Sequence, residues 1–101
     1  LPTERVPAIC PNIAVEILSS SNTMAEMAQK RKEYFQGGCQ LVWMVDPAAR
    51  NVAVYRSLLQ VEIIGPDSHL EGGDVLPSFR LLVADLFNEV DGQPLNLKEI
   101  N

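Results

Sequence analysis

Two short apolar runs, Ile13 to Leu18 (IAVEIL) and Leu41 to Val45 (LVWMV), restrict this chain more than any other feature. Runs of that length read as strands, and near-continuous apolarity reads as strands covered on both faces. In the first run Ile13, Val15 and Ile17 fall on one face, and Ala14, Glu16 and Leu18 on the other. Glu16 is therefore the single charge in an expected inner strand. Between the runs, Ser19 to Asn22 is turn chemistry, and Asn22 or Thr23 can cap a helix. Thr23 with Glu26 has capping-box spacing, and Gly37-Gly38 supplies the left-handed residue that stops a helix. A strand, a helix to about Gln36 and a second strand form a crossover that sets the two strands parallel. On the helical wheel Met24, Met27, Ala28, Tyr34 and Phe35 share one side, with Arg31 near its middle and Lys30 at its edge. Cations placed there need partners or a route to water.

Downstream, Asp46-Pro47 opens a turn, and Val52 to Tyr55 and Val61 to Ile64 are expected as antiparallel strands joined tightly through 56–60. Gly65 to Ser78, rich in Gly, Pro and Asp, is expected as a loop. Leu81 to Phe87 is expected as a short helix that packs Leu82, Leu86 and Phe87 on the sheet. The chain is read as one domain over 1–87 with a loosely held tail over 88–101. Leu1 to Pro11, with three prolines and no periodicity, is expected to be extended.

The net charge of −5 argues against a broad basic surface. It leaves room for a nuclease, whose active site is itself acidic until metal arrives. Cys10 and Cys39 are too few for a disulfide framework or a zinc site, and are read as reduced thiols of a cytoplasmic protein. His69 stands alone in a polar stretch and is expected at the surface. No apolar run approaches the roughly 18 to 20 residues that cross a bilayer, and the N-terminus lacks the layout of a secretory signal. Phosphate loops, nucleophile elbows, HExxH and CxxC are all missing from the sequence.

Glu16 has two readings. It can pair with Lys30 or Arg31 across the strand–helix contact, the commoner outcome for such a residue. It can also hold a hard divalent cation such as Mg²⁺, with Lys30 steadying charge on a phosphate. Asn12 shares its face but lies four strand residues away, roughly 13 Å, too far for one ion to bridge. Leu18, roughly 6.6 Å along, carries no charge. A second acid has to come from another strand. Asp46 is the nearest donor within the chain, although a turn-initiating Asp before Pro is its simpler role.

The ordered run PNIAVEILS, a Lys four residues before Tyr in KRKEY, Gly38, LVWMVDP and GGDVLPSFRLLVADLF resembles the Uma-type putative restriction endonucleases, within the PD-(D/E)XK nuclease superfamily. The resemblance covers roughly Pro11 to Phe87. It implies an α/β fold, a mixed sheet with flanking helices, and hydrolysis of DNA phosphodiesters dependent on Mg²⁺ or Mn²⁺. Glu16 matches the metal-binding acid of the strand, and Lys30 matches the lysine that this family takes from the following helix. Leu18 stands where the wider superfamily has its lysine. Pro11-Asn12 stands where the family has a proline–acid pair, so Asn12 is the second implied metal ligand, through its carbonyl oxygen and without a negative charge. On this resemblance the chain is expected to be the C-terminal part of the domain, without the N-terminal helix and hairpin that bring a further acid. The alternative is a non-catalytic structural or interaction module derived from that fold, to which Asn12, Leu18 and the acidic charge all point. An exposed sheet edge would then favour a homodimer.

Overall fold

Both apolar runs form strands and the segment between them forms a helix: β1 (Ile13–Ile17), α1 (Met24–Gln36) and β2 (Leu41–Asp46). The computed structural model describes residues 12–90, so the expected extended start with Cys10, and the tail from 91 onward, lie outside the described residues. β1 and β2 are parallel, with Glu16 opposite Met44. β3 (Asn51–Ser57) and β4 (Gln60–Ile64) follow antiparallel, giving a mixed four-stranded sheet in the order β1-β2-β3-β4.

β2 is the centre of the core because side chains of both its faces are buried. On one face Leu41, Trp43 and Val45 join Val52 and Val54 beneath Leu70, Val83 and Phe87. On the other, Val42 and Met44 join Ala14 beneath Met27, with Tyr34 and Phe35 packed against them. The capping box is formed: Glu26 N donates to Thr23 Oγ1 at 3.0 Å and Thr23 N donates to Glu26 Oε1 at 3.1 Å. Gly38, at φ 106°, is the left-handed residue just past the helix. Met27 is the only buried residue of α1. Met24, expected on the packed side, is 90% exposed.

Four further expectations are corrected. β1 is an edge strand among the described residues, and Val15 and Ile17 are 52% and 55% exposed. Apolarity reports that a strand could be covered, not which neighbours it has. The segment read as a loop instead contains a hairpin, β5 (His69–Gly72) with β6 (Leu76–Leu82). Leu81 and Leu82 are drawn into that hairpin by pairing with Leu70 and His69, so the last helix, α2 (Val83–Val90), starts later and ends later than expected. His69 is accordingly a half-buried strand residue rather than a lone loop histidine.

Candidate active site

The site lies where α1 crosses β1. The strand pleat points Glu16 to the same face as Ala14, beneath the helix. Lys30 and Tyr34 are four residues apart in α1, which puts them one turn apart on a single ridge. Both reach Glu16. Lys30 Nζ lies 3.4 Å from Oε2 and 3.5 Å from Oε1, and the Tyr34 hydroxyl donates to Oε2. The Glu16 side chain keeps 19% of its exposure and that of Lys30 keeps 44%. Arg31, the other cation of the wheel, makes a different contact. Its guanidinium sits 4.4 Å from the centre of the Tyr55 ring, an attraction between a cation and the negative face of the ring. The geometry thus separates the two cations that the sequence left as rival partners of Glu16.

The remaining candidates are arranged differently. Asn12 precedes β1, and its backbone carbonyl accepts from Gln40 N at 2.8 Å and Leu41 N at 3.1 Å, fastening β1 to the start of β2. It is exposed and stands four residues from Glu16, roughly 13 Å along extended chain. Asp46 lies on the neighbouring strand, two residues beyond Met44, the partner of Glu16. Its Oδ1 accepts from Ala49 N at 3.1 Å, which is the turn-forming role.

Among the described residues no group of three or more His, Cys, Asp or Glu gathers as a metal site. A hard cation such as Mg²⁺ keeps several waters and takes one or two carboxylates together with substrate phosphate oxygens, so Glu16 can supply one such ligand and a complete site still asks for the second acid. Glu16 fits in donor type, as an anionic oxygen ligand with partial access to solvent. Tyr34 is the residue that sequence reasoning missed. Its ring was counted with the apolar face, whereas its spacing from Lys30 already aligned its hydroxyl with the same target.

Residues 1–84 match the family Uma2, described as "Putative restriction endonuclease". Among solved structures the chain is similar to a putative nuclease belonging to DUF820 from Anabaena variabilis, at a TM-score of 0.70 and 27% identity. That similarity covers 79% of this chain and 45% of the Anabaena chain, so the matched part spans less than half the length of the other. No curated protein matches. No helix among the described residues is long and apolar enough to cross a membrane.

Proposed function

The chain belongs to the Uma2 family of putative restriction endonucleases, and from that premise we propose that it is a metal-dependent endonuclease that hydrolyses DNA phosphodiesters at Glu16 and Lys30. The observation that carries this reading is the convergence of Lys30 and Tyr34 on the only charge of β1. Stability offers little reason for that arrangement. An ion pair as open as this one contributes roughly 0 to 1 kcal/mol. A carboxylate against the underside of a helix is poor scaffolding and a useful ligand.

Glu16 would hold Mg²⁺ or Mn²⁺ through a carboxylate oxygen. When bound, the ion supplies positive charge that polarises the phosphate and lowers the pKa of a bound water. Lys30, half-exposed at the rim, would place its ammonium where negative charge builds on the phosphate during attack. One such group is commonly worth a factor of roughly 10² to 10³ in rate. Asn12 would add a neutral carbonyl donor only if its side chain crossed the separation from Glu16, so the reading rests on Glu16. DNA is the substrate on this account, and the cytoplasm the place of action. Isothermal titration with Mg²⁺ or Mn²⁺ tests it: the wild type binds and Glu16→Ala does not. Equal heats from both proteins would remove the metal role.

The exposed Val15 and Ile17 on the edge strand favour a second reading, a non-catalytic module that pairs with a second copy. Sedimentation velocity at two concentrations decides that point, since a concentration-independent monomer argues against the dimer.

A further inference from the structure

The geometry points to Tyr34 as the residue that positions Glu16 for the ion, an inference that rests on the nuclease reading above. Lys30 and Tyr34 both meet the carboxylate, but in different ways. Lys30 Nζ is nearly equidistant from the two oxygens, at 3.4 and 3.5 Å. A charge-assisted hydrogen bond that fixes geometry is closer to roughly 2.7 to 2.9 Å. Lys30 therefore attracts the carboxylate without setting its rotation. Tyr34 selects one oxygen, Oε2. Its ring is packed against the cluster of Ala14, Met27, Cys39, Val42 and Met44, so the hydroxyl is delivered from a fixed body. The lysine side chain is 44% exposed on a flexible stem.

The signs of charge separate the two further. With an ion held at Glu16, the ammonium of Lys30 would face a like charge, and its half-exposed side chain would be available to a phosphate instead. The neutral hydroxyl of Tyr34 is not repelled. It would keep its hydrogen bond to Oε2 with the ion bound. Tyr34 acts here as a positioning residue: it touches the ligand of the ion rather than the ion. Partners of this kind, behind a metal ligand, typically change metal affinity by roughly 10- to 100-fold when removed.

Calorimetric titration with Mn²⁺ on the full chain tests this with four proteins: wild type, Glu16→Gln, Tyr34→Phe and Phe35→Leu. Tyr34→Phe keeps the ring and its packing, and its Mn²⁺ affinity is expected to fall roughly 10- to 100-fold. Phe35→Leu trims the same apolar cluster without touching the donor. It is expected to lower the melting temperature and leave the affinity unchanged. A wild type that binds no Mn²⁺, or binds it as Glu16→Gln does, overturns the nuclease reading and this inference together. Binding that needs Glu16 but is equally tight in Tyr34→Phe overturns the role of Tyr34 alone. A second measurement needs no variant of Tyr34. The chain has two tyrosines, so in ring-labelled wild type the Tyr34 resonance is expected to shift along the Mg²⁺ binding curve. A Tyr34 resonance that stays still while Glu16 binds the ion contradicts the inference.

Discussion

A carboxylate set into the helix-covered face of a sheet has to be met by donors, and the identity of the donors decides what it can do. Glu16 is met by one cation and one hydroxyl from successive turns of α1. The cation is half in water, which limits its worth to folding and frees it to act on something else. Lys30→Met, which keeps an unbranched apolar stem of good helix propensity, is therefore expected to change stability by less than about 1 kcal/mol. Urea denaturation of the two proteins checks this. A loss of several kcal/mol would make Lys30 a structural strut.

At the scale of elements, β1 and β2 stand where strand and helix periodicity place them, and α1 starts on its capping box and stops at its glycine pair. Those signals are local. The hairpin β5–β6 was hidden because its strands owe little to their own periodicity. His69–Gly72 has one buried leucine and is held chiefly by pairing with a strand several residues away. The same hairpin contains a close approach that only glycine permits. A Cβ on Gly72 would lie 2.3 Å from Leu76 Cβ and 2.5 Å from the Leu76 carbonyl oxygen, atoms that cannot move without the strand. Gly72→Ala is expected to destabilise by roughly 1 to 3 kcal/mol, as overpacking does. Thermal denaturation reads this, and an unchanged melting temperature would mean that the strands part easily. Of the candidate site, Glu16 was legible because it breaks an apolar strand, whereas the wheel left Lys30 and Arg31 open as its partner and only the family resemblance pointed to Lys30. Tyr34 was not legible, because an aromatic ring at a packed position satisfies the pattern while its hydroxyl does something else. The edge position of β1 could not be read either, since apolar residues on both faces describe a strand's composition and leave its neighbours open.

The described residues form a mixed sheet with α1 on one face and the β5–β6 hairpin with α2 on the other, and the Glu16–Lys30–Tyr34 cluster lies between α1 and the edge strand β1. With a net charge of −5, the chain has no surplus of positive charge to gather DNA by itself. On the nuclease reading, binding depends on the ion that Glu16 holds and on Lys30 beside it. Chelation by EDTA is accordingly expected to abolish cleavage, and added Mg²⁺ or Mn²⁺ to restore it. The most direct test of the central claim, that Glu16 and Lys30 form a site rather than a strut, is the rate of supercoiled-plasmid cleavage in Mg²⁺ by wild type and by Lys30→Met. The account predicts cleavage by the wild type and a rate lower by roughly 10² or more in the variant, at equal folding stability. Equal rates in the two proteins, or no cleavage by the wild type in either metal, would contradict it.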